Sequence, residues 1–143
     1  MVFGNDIRVD SKRSANMARV RSRDTEPELL VRRFAHALGF RFRLHRRNLP
    51  GTPDLVFPRL RKIILVHGCF WHRHDGCDRT TTPKTRTSFW LSKFDANVAR
   101  DKRTTRELRR LGWKVLIVWE CETREPLLLR RRLRKFLGRP SNS

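Results

Sequence analysis

Leu30, Phe34, Ala37 and Leu38 recur at three- and four-residue spacing, the stripe of an amphipathic helix. Thr25 and Glu28 have capping-box spacing ahead of it, Pro27 suits a first turn, and Gly39 is the expected stop. The period then changes. Phe40-Arg41-Phe42-Arg43-Leu44 alternates apolar and basic, which predicts a strand with one apolar face. A basic, turn-rich segment from Arg46 to Pro53 follows. Leu55-Val56-Phe57 and Lys62 to His67 predict two more strands, joined tightly through Pro58 to Arg61. A hairpin turning at Leu60-Arg61 pairs Leu55 with Val66 and sets Asp54 across from His67.

Residues 78–87 read as a polar basic loop. A long helix from about Ser88 to Leu111, stopped by Gly112, is expected to bury Trp90, Phe94, Val98, Leu108 and Leu111. Asn97, Asp101 and Thr105 form a polar stripe beside that face. Trp113 to Trp119 predicts a central strand, and Glu125 to Leu137 a last helix with Leu129, Leu133 and Phe136 inside. The order helix, three strands, helix, strand, helix predicts an α/β fold, a mixed sheet flanked by helices. We expect a basic arm over 1–23, one domain over 24–138 and a short tail over 139–143.

Charge narrows the choice of partner. Lys and Arg number 34 against 14 acids, a formal charge of +20. So large an excess opposes compaction unless a polyanion shares the solvent, which favours nucleic acid. The longest apolar run is far too short to span a bilayer, and the N-terminus lacks the apolar core of a secretion signal. The expected location is the cytoplasm, so the three cysteines suit metal ligation better than disulfides. In the arm, Met17 and Val20 fit either a short helical turn against the core or a wedge into a DNA groove.

The chemistry concentrates in Val66 to Cys77, V-H-G-C-F-W-H-R-H-D-G-C. Cys69, His74 and Cys77, with Cys121 beyond the last strand, fit a tetrahedral structural Zn²⁺ set; His72 is the rival fourth ligand, and unpaired core thiols are the alternative to a metal site. Asp54, His67, His72 and Asp101 form a candidate hydrolytic cluster, in which a carboxylate helps hold Mg²⁺ and a histidine takes a proton from water. The same residues read equally as exposed loop histidines and an ion-paired Asp101. Glu28 is a helix cap or a carboxylate facing a metal. Phe70-Trp71, joined by Trp90, suits stacking on or between bases, or covering the cysteine loop.

H-G-C-F-W-H-x-H, preceded by L-P-G-x-P-D and followed by T-R-T-x-F-W and V-L-I-V-W-E-C, resembles the very short patch repair (Vsr) endonucleases. The match runs from R-S-x-N-M near Ser14 to Cys121, nearly the whole domain. The resemblance implies a restriction-endonuclease-like fold and Mg²⁺-dependent nicking beside the thymine of T:G mismatches left by deaminated 5-methylcytosine. It implies Asp54 and the Val66 carbonyl as Mg²⁺ ligands, and His72 as general base oriented by Asp101. His67 assists at the phosphate, and Glu28 holds a water at the Mg²⁺ site. Cys69, His74, Cys77 and Cys121 bind structural Zn²⁺; Phe70, Trp71 and Trp90 wedge in from the major groove and Met17 from the opposite side. The lysine usual in that fold is absent, and His67 and His72 stand in its place.

A monomer acting on double-stranded DNA, with no membrane partner, is the implied working form. It is expected to be nucleoid-associated, with contact to other mismatch-repair proteins. The competing readings are a restriction endonuclease on fully paired DNA and a non-catalytic zinc-containing DNA-binding module.

Overall fold

A computed structural model describes residues 24–139. The arm 1–23, with Met17 and Val20, and residues 140–143 lie outside the described residues.

The first helix, α1 (Glu26–Ala37), begins as its cap predicts: the Thr25 hydroxyl accepts from the Glu28 N–H. Its buried line is Glu28, Val31 and Ala35, whereas Leu30, Phe34 and Leu38 are half-buried and Ala37 is exposed. Small side chains at 31 and 35 let the helix lie close to its neighbours, so the bulkier stripe is displaced to the flank. The alternating stretch that follows forms a strand, β1, only over Arg43–Leu44. Phe40 and Phe42 both pack on Phe57, at 6.3 and 5.7 Å between ring centres. Their alternation serves aromatic packing more than a ladder.

Strands β2 (Leu55–Phe57) and β3 (Lys62–His67) make the expected hairpin, but with Leu55 opposite Ile64 and Val56 opposite Ile63. The turn is centred one residue earlier than expected. It is closed by Leu60 N–H to Phe57 O and Arg61 N–H to Pro58 O, with Arg61 at φ +57°. Moving a turn by one residue moves register by two, an even shift that keeps every side chain on its face. The core assignment therefore survives while Asp54 is no longer across from His67.

Helix α2 (Thr87–Arg110) leads to β4 (Lys114–Trp119), a 3₁₀ turn over Glu120–Arg124, and α3 (Pro126–Leu137). The sheet order is β1-β2-β3-β4, antiparallel except for the parallel pair β3/β4. Thus β4 is an edge of the described sheet and β3 lies inside it, a correction to the expected central place of β4. Its apolar run is explained by cover on both faces. Leu116 and Val118 join the core with α1 and α3, and Val115 and Ile117 join the core with Leu108 of α2. The same alternation puts Ile64 and Val66 of β3 toward α1 and α3, and Ile63 and Leu65 toward α2. Leu111, expected inside, is 53% exposed; Trp113 takes its place in the core. No helix among the described residues is long and apolar enough to cross a membrane.

Candidate functional site

Asp54 enters β2 from the loop L-P-G-T-P, which lies against α2. A Cβ on Gly51 (φ +72°) would stand 2.4 Å from the Thr104 side chain, so only glycine permits that approach. The loop delivers Asp54 to the end of β3, where the Val66 N–H donates to its Oδ2 at 2.7 Å. Asp54 also hydrogen-bonds with the Glu28 side chain. Burial, opposed by the Val66 hydrogen bond and reinforced by Glu28, pushes the Asp54 carboxyl up to about 8. Two carboxyl groups held together out of water are a ready place for a divalent cation.

Glu28 is itself 1% exposed and paired on two further sides, to the Arg32 guanidinium and to His45 Nε2 at 2.7 Å. Sequence reasoning missed both partners. Arg32, one helical turn after Glu28, was legible in principle; His45, in the left-handed region at φ +47°, carried no signal.

A second polar group lies on the α2 side of the sheet. His72 Nδ1 is 2.6 Å from Asp101 Oδ2, and the His67 and His72 rings stack at 3.9 Å. Burial, then the neighbouring His72, holds His67 down to about 3, so it is neutral at ordinary pH. This group opens on a cleft of about 660 Å³ along α2, lined also by Lys102 and Arg106. His67 directly follows Val66, so the carboxyl pair and the histidine pair meet the same end of β3.

The loop after β3 folds into short turns, His74 N–H to Cys69 O and Cys77 N–H to His74 O, with the Thr80 hydroxyl donating to His74 O. These turns bring one donor atom each of Cys69, His74, Cys77 and Cys121 to within 4.8 Å of one another. His74 Nδ1 lies 3.6 Å from Cys69 Sγ and 3.4 Å from Cys121 Sγ, as adjacent corners of a zinc tetrahedron require. His72, the rival ligand, is engaged by Asp101 instead. Burial pushes the Cys69 thiol up to about 12 and raises that of Cys121, so thiolates would form there with a cation bound. The donor set fits Zn²⁺.

Phe70 and Trp71 are half-buried and continue into an aromatic raft with Trp90 and Phe94. Trp90 is 5% exposed, beneath Trp71 at 6.2 Å, and Arg73 covers Phe94 at 4.0 Å. Asn97 donates to the Trp71 carbonyl at 3.4 Å. Trp119, also missed from sequence, stacks on His74 at 4.2 Å and meets His67 edge-on at 5.3 Å.

The family model for DNA mismatch endonuclease Vsr matches residues 5–79. The chain is 50% identical over 121 residues to type II nicking enzyme V.XorIIP of Xanthomonas oryzae pv. oryzae, covering 85% of this chain and 88% of that protein. It is 40% identical over 132 residues to type II nicking enzyme V.NmeAIP of Neisseria meningitidis, covering 92% of this chain and 94% of that protein. DNA mismatch endonuclease Vsr of Escherichia coli is 44% identical over 119 residues, 83% of this chain and 76% of that protein. The sheet-end acids, the histidine pair and the Cys/His cage thus sit in a chain that belongs to the Vsr family of DNA mismatch endonucleases and is a strand-nicking endonuclease.

Proposed function

We propose that this chain nicks one strand of duplex DNA beside the thymine of a T:G mismatch, using Mg²⁺ for catalysis and Zn²⁺ for structure. The observation that carries the reading is the pairing of His72 with Asp101 at 2.6 Å over an open cleft, at the strand end where buried Asp54 is held. The fold is of the restriction-endonuclease type, with 24–138 as its working unit, 1–23 as an arm and 139–143 as a tail.

Asp54 and the Val66 carbonyl would hold Mg²⁺, with Glu28 behind them. When bound, the ion neutralises charge on the scissile phosphate and leaving oxygen. Asp101 holds the His72 ring through Nδ1, which leaves Nε2 to take the proton of the attacking water. His67 stays uncharged against that ring, so it can donate to a phosphate oxygen without competing for the proton. Cys69, His74, Cys77 and Cys121 would hold Zn²⁺ with no position left open, which fixes the loop that carries His72.

Phe70 and Trp71 wedge into the mismatch from the major groove, and Met17 enters from the other side. Trp90 supports Trp71 from below, which favours an indirect part in that wedge. A mismatch is weakly stacked, so opening it costs less than opening matched DNA, and selectivity follows in part from that difference. The chain acts as a monomer at the nucleoid, in contact with other mismatch-repair proteins.

Strand-resolved cleavage of T:G and fully paired duplexes, with and without Mg²⁺, tests the reading. The expected product is a Mg²⁺-dependent nick in the T-containing strand of the mismatched duplex alone. Equal cutting of paired DNA would replace this reading with that of a restriction endonuclease.

A further inference from the structure

Helix α3 carries five cations and no acid in twelve residues. Its inner line, Leu129, Leu133 and Leu137, is fully packed in the core beside α1. One of the cations, Arg132, is taken up at home by Glu122 Oε1 at 2.5 Å. The other four, Arg130, Arg131, Arg134 and Lys135, are exposed and have no ion-pair partner among the described residues. With Leu127, 79% exposed, they line a shallow groove of about 480 Å³ along the outside of the helix. Their i, i+1, i+4, i+5 spacing puts them on one face in two like-charged rows, an arrangement that disfavours the isolated helix. A merely solvated face would intersperse acids to relieve it; this one has none.

The position of the face matters as much as its charge. Because α3 packs with Ile64 and Val118 and α2 packs with Ile63 and Leu65, the two helices lie on opposite faces of the sheet. The cleft with His72 and Asp101 is on the α2 side. A duplex engaged at that cleft leaves the outer face of α3 open to solvent.

We propose that the outer face of α3 is a second DNA-contacting surface, which takes the phosphate backbone of another duplex while the first is still held at the cleft. The enzyme then passes directly between DNA segments without first becoming free. Four unpaired cations on one exposed face match a polyanion, and the family's substrate makes duplex DNA the abundant one. The inference rests on DNA as substrate and is independent of the T:G and Mg²⁺ assignments.

The test is a chase without Mg²⁺. A short fluorescent matched duplex is bound to the full chain and displaced with rising concentrations of unlabelled duplex. Direct transfer makes the wild-type dissociation rate climb with chase concentration. The variant Arg130→Gln/Arg131→Gln/Arg134→Gln/Lys135→Gln should dissociate at the chase-free wild-type rate whatever the chase. Its single-turnover cutting of short duplexes should stay within about twofold of wild type, because only sequence-independent contacts remote from the cleft are removed. At low salt the wild type should also take up a second duplex, with a log–log salt slope of about −3 to −4 as four phosphate contacts imply. The double variant Arg131→Gln/Arg134→Gln should halve that slope, which keeps the test open if the quadruple variant folds poorly. A wild-type rate that ignores the chase, or a quadruple variant that still responds, overturns the proposal. So does capture of the wild type by phosphatidylglycerol vesicles through these residues with no second duplex bound, which would assign the face to a membrane surface. Failure to cut T:G duplexes would sink the proposed function and leave the chase result standing.

Discussion

Trp119 stands between two regions built on different principles, meeting His67 on one side and stacking on His74 on the other. The Cys/His cage draws three of its four donors from nine consecutive residues, Cys69 to Cys77, and adds only Cys121 from elsewhere. The proposed hydrolytic end draws on α1, the entrance of β2, the end of β3, the loop after it and α2, for Glu28, Asp54, His67, His72 and Asp101. A local cage of this kind would be held by short turns and the proposed cation, so losing a donor should undo the loop. A dispersed site is held by the whole fold, so losing one of its groups removes chemistry and leaves structure. The carboxyl pair goes further, because burying Asp54 beside Glu28 opposes stability in the metal-free chain.

Asp54→Asn is the sharpest way to break this contrast. Nicking should fall below detection while mismatch binding persists; retained cutting would remove Asp54 from the metal site. Stability should move the other way. The folded Asp54 carboxyl sits at about 8, above its ordinary range, so between the unfolded value and about 8 ionisation favours the unfolded chain. Metal-free wild type should therefore lose stability relative to Asp54→Asn as pH rises through that window, then run parallel to it. Thermal melts across pH in chelator measure it, and curves that converge with rising pH would refute the burial argument.

Cys121→Ser should do the reverse. Zinc content drops and the melting temperature falls by on the order of 10 °C, since site and fold are coupled in such cages. Zinc retained in full would move the fourth ligand to His72 or Asp75. Asp101→Asn should lower the single-turnover nicking rate by about 10²-fold with DNA affinity unchanged, through loss of His72 orientation. A change in affinity without a change in rate would make Asp101 a structural partner only. Trp71→Ala is the mildest. It should erode preference for mismatched over paired duplex by about tenfold, the scale of one stacked base, read by competition binding. Undiminished preference would return Trp71 to cover for the cysteine loop.

The cage was legible because its spacing is short and its residue types are rare. Cys69, His74 and Cys77 name a site almost by themselves, yet the choice between His74 and His72 was not in the spacing. What favours His74 is Asp101, whose place on α2 gives His72 a different partner. Asp54 was legible as a strand-entrance carboxylate, but the predicted hairpin put it across from His67. The turn centred on Arg59-Leu60 puts it at the Val66 N–H instead. Trp90, read as a base-stacking residue, lies under Trp71 because the first turn of α2 packs on the loop that precedes it.

Hydrophobic period and the rare ligand residues were enough, from the chain alone, to fix the kinds of elements, their order, both apolar faces of β4 and the short cluster from Cys69 to Cys77. Those features depend on neighbours within a few residues, where backbone geometry leaves few options. The environment of Asp54, the partner His45 of Glu28, the edge position of β4 and the wall made by Trp119 were settled only in three dimensions. Each depends on which distant segments share the end of one parallel strand pair, and that is set by packing the whole sheet rather than by any local pattern.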